Sequence, residues 1–325
     1  MSDFLSLPDL AAERLGGVAV FANDEFFAPR ERLLRAAPPV WREGEYDEHG
    51  KWMDGWETRR RRDEGSDWCD VRLGLPGFIR GVVLDTSFFT GNYPESASID
   101  ATDIPGTPTP AELDRASWTT ILPRSPLEGD TRNVFAISDN HRWTHLRLRI
   151  HPDGGVARLR VHGEVAPDWS ALQRAGGWVD LGALVHGGTV VSQSDAFYGN
   201  AGHMLLPGRA THMGDGWETR RRRGPGNDWA IVKLGRAGTI HRIELDTDHY
   251  RGNAPGACSV EGCPDDLLND RSTWTTLLGR TPILPHTRHV FEQEISPSGP
   301  VTHVRLNIFP DGGVARLRLF GSVAW

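Results

Sequence analysis

The chain contains one nine-residue stretch twice: Asp54-Gly-Trp-Glu-Thr-Arg-Arg-Arg-Arg62 recurs letter for letter from Asp215 to Arg223. A second nine-residue identity follows in each half, from Pro152 to Arg160 and from Pro310 to Arg318. Two identical stretches in the same order indicate that the chain is two copies of one unit, and such a repeat sets the architecture before any single element is assigned. Each half can therefore be compared with the other, position by position.

The length agrees with two domains. The chain has 325 residues, which suits two domains of roughly 150 residues each. We expect the first repeat to span residues 1–166, a linker to span 167–177 and the second repeat to span 178–325. Within the linker, residues 170–174 favour a helical turn.

Short alternating segments predict strands. Apolar and polar residues alternate strictly in residues 146–150 and 304–308, and a period of two places one face in a core and the other in solvent. Short strands separated by Gly, Pro and Asp clusters are typical of antiparallel sandwiches. We therefore predict an all-β protein made of two tandem jelly-roll-like antiparallel β-sandwich domains. The helix candidates are short and lie at 110–116, at 265–270 and in the linker.

The composition indicates which classes of binding partner to expect. The net charge is −7 and arginines are spread among acids, whereas nucleic-acid binding normally requires a basic face. No apolar run approaches the roughly 20 residues of a membrane span. The three cysteines make no even disulfide framework, and the first residues lack a signal-peptide pattern. We expect a small-molecule substrate, no nucleic-acid or membrane partner, a cytoplasmic location and a homo-oligomer.

The four consecutive arginines of each nine-residue stretch, Arg59–Arg62 and Arg220–Arg223, are called the arginine string below. Burying an unpaired charge costs several kcal/mol, so these side chains must be solvated or matched to acids. One interpretation is a charged edge strand that pairs with acids across the sheet. The other is a set of guanidinium forks that bind a carboxylate. If the segment is an extended strand, Glu57, Arg59 and Arg61 face one way and their neighbours the other.

Further candidate residues stand at matched positions in the two repeats. The aspartates of Asp-Gly-Gly are first of all hairpin-turn residues. The asparagines of Gly-Asn suit a left-handed turn, but their amides could also bind a ureido group. The last arginine of each Val-Ala-Arg could pair with the turn aspartate or face a ligand. The full set is Asp24, Asp195, Asn92, Asn253, Asp153, Asp311, Arg158 and Arg316.

The histidines differ between the repeats. His249 stands where the first repeat has Phe88, in a loop where a general acid or base could act. No His-x-x-x-His or Glu-x-x-His spacing indicates a metal cage. A carboxylate-rich site for a divalent metal stays open as an alternative, and no other cofactor is predicted.

Five motifs, each present twice and in the same order, resemble the allantoicase family. They are Asp-Gly-Trp-Glu-Thr-Arg-Arg, Asp-Trp-x-x-Val-x-Leu-Gly, Leu-Asp-Thr…Gly-Asn, Trp-Thr-Thr and Pro-Asp-Gly-Gly-Val-Ala-Arg-Leu-Arg. The resemblance extends from about Gly16 to Trp325. It implies jelly-roll repeats similar to galactose-binding and discoidin-type domains. It also implies hydrolysis of allantoate to ureidoglycolate and urea in purine degradation.

That chemistry suits the residues, because allantoate carries one carboxylate and two ureido groups on a single carbon. We expect an acid–base role for Glu57, Glu218 or His249. We expect the carboxylate to be held by Arg59, Arg60, Arg220 and Arg221. One alternative is a non-catalytic jelly-roll module that binds a small anionic or sugar ligand, since fold alone does not give function. Another is that only one repeat is catalytic.

Overall fold

The computed structural model describes residues 4–324, which fold as two compact units that divide between Ala166 and Pro167. Strand pairing is antiparallel throughout the named strands of both units. The prediction of an all-β protein with two antiparallel β-sandwich domains is confirmed.

Unit 1 is built from short strands around one long strand. Its strands are β1 (Val18–Ala22), β2 (Tyr46–Asp47), β3 (Gly50–Lys51), β4 (Trp56–Glu57), β5 (Asp67–Asp85), β6 (Ser96–Thr102), β7 (Thr119–Pro126), β8 (Arg132–Ala136), β9 (Arg142–His151), β10 (Gly155–Val156) and β11 (Arg158–Val165). Its helix α1 is Pro110–Asp114, and single 3₁₀ turns occupy Phe4–Ser6, Glu13–Leu15 and Arg30–Leu34.

The long strand β5 belongs to both layers of the sandwich. Its first part, residues 67–72, pairs with β1 and β9, and β6 and β7 extend that layer. Its second part, residues 77–85, pairs with β8 and β11. A register shift between Arg72 and Gly77 separates the two parts, and such irregularities bend a strand. The inward side chains, such as Val71, Ile79 and Leu148, have no solvent exposure.

Unit 2 repeats this plan. Its strands are β12 (Val179–Asp180), β13 (Thr189–Gln193), β14 (Trp217–Glu218), β15 (Asp228–Asp246), β16 (Ala257–Cys263), β17 (Thr275–Pro282), β18 (Arg288–Phe291), β19 (Val301–Phe309), β20 (Gly313–Val314) and β21 (Arg316–Val323). Helix α2 is Trp169–Ala175, and 3₁₀ turns occupy Leu184–His186, Ala201–Leu205 and Met213–Asp215. Strand β15 pairs with β13 and β19 at one end and with β18 and β21 at the other.

Two of the three predicted short helices are present in the structure. Helix α1 has a complete capping box between Thr109 and Glu112, and its Leu113 is fully buried. The predicted turn in the linker is helix α2, whose Trp169 and Leu172 pack on the core of unit 2. The prediction of a helix at 265–270 is wrong. Its Leu267 is 82 % exposed, so no buried face stabilises a helix there.

The nine-residue stretch is not the extended strand that alternation predicts. Only Trp56 and Glu57 form strand β4, and both side chains are buried. The arginines that follow are irregular in backbone conformation. They leave the sheet because side chains, not a neighbouring strand, bind their backbone amides.

One loop differs in length between the units. Glu57 follows its bridge partner Ala28 by 29 positions, whereas Glu218 follows Gly199 by 19. The additional residues of unit 1 include the β2–β3 hairpin, whose Gly50 packs against the ring of Phe27.

Across residues 4–324, no helix combines the length and apolar character needed to span a membrane. The three cysteines are free and buried.

Burial of His145 predicts acid sensitivity of unit 1. Its side chain is 1 % exposed, its Nδ1 lies 2.9 Å from the Thr144 hydroxyl, and its Nε2 has no hydrogen-bond partner among the described residues. Burial, aided by the charge of Arg72, lowers the pKa of His145 to about 4. The unfolded state then binds a proton at higher pH than the folded state. The unfolding free energy that depends on a neutral His145 is therefore fully present above pH ~6.5 and is lost as the pH falls towards 4.

Between pH 6.5 and 4 the unfolding free energy of the wild type should fall. We predict that this fall is about 3 kcal/mol smaller in His145→Gln. Denaturant unfolding at stepped pH measures it. The matched control is His141→Gln, whose side chain is 76 % exposed and whose variant should keep the wild-type slope. An unchanged slope in His145→Gln would contradict the assignment.

Candidate active site

Unit 1 contains a cleft of about 740 Å³. Three segments of chain line it, together with Phe27: residues 57–58 and 60–62 at the arginine string, residues 91–93 and 95 of the following loop, and the hairpin at 152–154. These are three of the motif regions that occur in both repeats. The fold therefore brings together segments that lie far apart in the sequence.

Strand β4 fixes the start of the arginine string. It pairs with β10, so that Glu57 lies opposite Gly155. The fully buried Trp56 donates its indole N–H to the Asp24 carbonyl at 2.8 Å. Thr58 continues the pairing through its backbone N–H, which donates to the Gly154 carbonyl at 3.1 Å. The string therefore leaves the sheet from a rigid anchor.

Two aspartates then bind the backbone of the string at alternate residues. Asp24 Oδ1 accepts the Arg59 N–H at 3.0 Å, and Asp153 Oδ2 accepts the Arg61 N–H at 2.8 Å. Burial acts to raise the pKa of Asp24, but the backbone hydrogen bonds and the Arg59 guanidinium outweigh burial and lower it. The predicted substrate-binding residues Asp24 and Asp153 thus shape the string, and we call them the aspartate pair.

The four guanidinium groups divide into paired and unpaired ones. Arg59 binds Asp24 at 2.6 Å, and Arg61 binds the buried Asp67 at 2.6 Å. Arg60 and Arg62 line the cleft, and neither side chain has a hydrogen bond or ion pair with any residue in the described part of the chain. Two arginines of the string therefore pair with acids, although not as an edge strand, and the other two have no partner among the described residues.

Glu57 lies in the same cleft. Its side chain is buried, with 8 % of the residue exposed, and Asn92 Nδ2 donates to its Oε1 at 2.7 Å. Burial raises the pKa of Glu57, and the hydrogen bond from Asn92 opposes part of that rise. A carboxyl group with a raised pKa keeps its proton to a higher pH than a free carboxyl group does, and it can deliver that proton to a ligand.

The hairpin after β9 must approach the asparagine loop closely. Gly154 has φ +136°, and a Cβ there would lie 2.7 Å from Pro94 N and 2.8 Å from Asn92 O. The backbone N–H of Gly155 donates to the Asn92 carbonyl at 2.8 Å. Asp-Gly-Gly is therefore required for more than the turn, because it lets the hairpin hold the loop that carries Asn92.

Unit 2 has the same arrangement. Asn253 donates to Glu218 at 2.6 Å. The second aspartate pair, Asp195 and Asp311, accepts the backbone N–H groups of Arg220 at 3.0 Å and Arg222 at 2.7 Å. Arg221 and Arg223 again have no hydrogen bond or ion pair with the described residues, and a cavity of about 330 Å³ runs along this string.

Several candidate residues lie away from these contacts. Arg158 is 2 % exposed and binds Asp54 and backbone carbonyls, and Arg316 does the same with Asp215. His249 places its Nε2 3.0 Å from the Ala210 carbonyl and does not line either cavity described above. The structure therefore brings Glu57, Asn92 and Arg60 together and does not add Arg158, Arg316 or His249 to them.

The cleft also contains residues that the motifs do not identify. Phe27, Tyr93 and Glu95 line it in unit 1. Tyr93 and Glu95 follow the Gly-Asn motif by one and three positions. They differ between the repeats, so a search for identical residues does not identify them.

Among residues 4–324, no group of three or more His, Cys, Asp or Glu side chains is arranged to hold a metal ion.

Fold and cleft together define a tandem-repeat β-sandwich protein with an arginine-lined cavity in each repeat. The family model for the allantoicase repeat matches residues 8–166 and 179–324. A probable allantoicase 2 of Burkholderia pseudomallei is 51 % identical over 97 % of this chain and 95 % of its own length. A probable allantoicase of Pseudomonas aeruginosa is 51 % identical over the same shares.

A solved structure is also similar. The crystal structure of allantoicase from Saccharomyces cerevisiae has a TM-score of 0.80 and 36 % identity, and the match covers 99 % of this chain and 97 % of that one. The chain belongs to the allantoicase family.

The Glu57–Asn92 contact generates a prediction that does not depend on activity. Replacing Asn92 by Ala removes a hydrogen bond that favours the carboxylate, so the pKa of Glu57 should rise further. A carboxyl-carbon NMR titration measures this. The matched control is Asn253→Ala, which removes the equivalent contact to Glu218 and should leave Glu57 unchanged. A Glu57 titration that does not move in Asn92→Ala would show that the contact is absent in solution.

Proposed function

We propose that the chain hydrolyses allantoate to ureidoglycolate and urea, and that the cleft of unit 1 is an active site. The observation that carries this proposal is the combination of a buried carboxyl group, Glu57, with two unpaired arginines, Arg60 and Arg62, in one cleft. Membership of the allantoicase family supports the reaction. The placement of the site rests on the geometry alone.

The unpaired arginines bind the carboxylate of the substrate. A guanidinium group presents several N–H donors in a plane that matches a carboxylate. Each charge-assisted hydrogen bond of this kind contributes about 1.5–3 kcal/mol. Arg60 and Arg62 need not abandon a protein partner to bind, because none of the described residues holds them.

Asn92 is suited to a ureido group. One hydrogen of its amide is directed to Glu57, which leaves the second hydrogen and the Oδ1 acceptor for a ligand. A ureido group has matching N–H donors and a carbonyl acceptor. Asn92 therefore positions the substrate and Glu57 together.

Glu57 supplies the proton that the leaving group needs. In the net reaction the oxygen of water bonds to the central carbon and the C–N bond breaks. The departing nitrogen keeps the bonding electrons and takes a proton, here from Oε2 of Glu57, while a base accepts a proton from water. Positioned acids and bases typically contribute roughly 10²–10⁴-fold to a rate. Orientation of the bound substrate must supply much of the remainder.

A small-molecule substrate follows from this proposal. Self-association into a homo-oligomer, a cytoplasmic location and the lack of nucleic-acid or membrane partners stay predictions from the sequence.

The reaction is tested by incubating the full chain with allantoate and measuring urea and ureidoglycolate. Parallel assays with a chelator and with added divalent cations prevent a metal requirement from being mistaken for inactivity. Absence of product under every condition would contradict the proposal.

The acid role predicts the effect of removing the proton. Glu57→Gln and Glu218→Gln together should lower kcat by roughly 10²–10⁴-fold, because glutamine keeps the shape but cannot donate that proton. The single variants measure how much each cleft contributes. Wild-type turnover in the double variant would disprove the acid–base assignment.

The arginines make a separate prediction. Arg60→Gln should raise KM about tenfold or more, because it removes a charge-assisted bond to the substrate, and should barely change unfolding. Arg59→Gln, which breaks the pair with Asp24, should lower the unfolding midpoint more than Arg60→Gln does. Steady-state kinetics and denaturant unfolding on both variants measure the difference. Equal KM values for Arg60→Gln and the wild type would place the carboxylate elsewhere.

A further inference from the structure

Between the shared asparagine and the next strand, the two units differ at two positions. After Asn92, unit 1 continues Tyr93-Pro94-Glu95, and after Asn253, unit 2 continues Ala254-Pro255-Gly256. The flanking residues align without a gap, so a tyrosine faces an alanine and a glutamate faces a glycine. The contacts among Glu, Asn, the aspartate pair and the arginine string are otherwise the same in both units. In this short segment, Tyr93 and Glu95 are therefore the residues that differ from their counterparts in unit 2.

Glu95 presents a free carboxylate at a fixed place. It lines the cleft, it is exposed, and its side chain has no hydrogen bond or ion pair within the part of the chain that the structure describes. Its backbone is held, because its carbonyl accepts the Leu127 N–H at 3.0 Å and strand β6 begins at the next residue. The fold therefore fixes the backbone position of Glu95, and its carboxylate has no partner among the described residues to give up.

Tyr93 lines the same cleft as Glu57. Its side chain packs against the cluster of Met53, Phe89 and Ala157, and it lies so close to Gly129 that a Cβ there would be 2.5 Å from its Cδ1. The ring is therefore held in the cleft wall. In unit 2 an alanine replaces it, and Glu218 is half-buried where Glu57 is buried.

A second wall differs in the same direction. Phe27 of unit 1 is half-buried and lies beside Gly50 of the β2–β3 hairpin, whereas its counterpart Tyr198 is 62 % exposed. Both differences accompany the deeper burial of Glu57 compared with Glu218. In the cleft of unit 1, Glu57 is buried and Glu95 is exposed. Two carboxyl groups in such different environments are the usual basis for assigning an acid and a base.

Given the proposed function, we propose that Glu95 is the base that accepts the proton of the attacking water in unit 1, and that unit 2, with Gly256 at that position, binds the same substrate without cleaving it. Water loses one proton to the Glu95 carboxylate as its oxygen bonds to the central carbon. The C–N electrons leave with the urea nitrogen, which takes the proton of Glu57. Exchange with solvent then returns the proton from Glu95 to Glu57, so protons and charge balance over one turnover.

The first experiment compares Glu95→Gln with Glu13→Gln, an exposed glutamate outside the cleft. Glu95→Gln should lower kcat by roughly 10²–10⁴-fold with little change in KM, and Glu13→Gln should match the wild type. Added formate should restore part of the turnover of Glu95→Ala, because a free carboxylate can replace a missing base. Wild-type kcat in Glu95→Gln, a change in KM alone, or a loss that formate does not rescue would each overturn the role of Glu95.

The second experiment counts binding sites in the full chain. Glu57→Gln alone should be nearly inactive, although unit 2 is intact, and should bind two allantoate molecules per chain by calorimetry. Adding Arg221→Gln should reduce this to one. A residual rate near half of the wild type, or a single site in Glu57→Gln, would overturn the role of unit 2.

The two proposals fail differently. If the Glu57→Gln/Glu218→Gln double variant stays active, the proposed active site is wrong. If that variant is inactive while Glu95→Gln is active, only the present inference is wrong.

Discussion

The structure of the site depends on the binding of backbone N–H groups by the aspartate pair. Four adjacent arginines repel one another, and as part of a regular strand they would direct their side chains to both faces. Asp24 and Asp153 instead hold the string at Arg59 and Arg61. Asp24 and Asp67 then neutralise those two residues, which leaves Arg60 and Arg62 without acidic partners beside Glu57. Because the same pairing occurs in unit 2, the two aspartates explain why Asp24 and the Asp-Gly-Gly turn accompany the arginine string in both repeats.

Much of this architecture could be predicted from the sequence, because repetition and period-two alternation report directly on a sandwich. The pairing of Glu57 with Asn92 could not, since 35 positions separate them and only the fold brings the loop to β4. The extended form predicted for the string failed for a similar reason, because distant carboxylates determine its conformation. Helix propensity at 265–270 was misleading, since Leu267 finds nothing to pack against. Arg158 was a reasonable candidate for binding a ligand, but its partner is Asp54, the first residue of the nine-residue stretch.

The two repeats have identical motifs, but the surroundings of those motifs differ. An identical motif provides the same donors and acceptors, but the walls of a cleft come from other parts of the chain. In unit 1 the β2–β3 hairpin and Tyr93 enclose the site, and in unit 2 neither feature is present in the described residues. Under the proposed function, binding of the anion requires only the shared part. Proton transfer also depends on exclusion of water, because burial is what raises the pKa of Glu57. His249 lines neither of the two cavities.

The charge and the leaving group of the substrate determine where it should bind, and a crystal structure of the Glu57→Gln variant with allantoate tests that position most directly. We predict that the carboxylate lies between Arg60 and Arg62, and that a ureido nitrogen lies within hydrogen-bond distance of the side chain at position 57. Allantoate bound away from these three residues, or bound with its carboxylate on Arg59 or Arg61, would contradict the central claim.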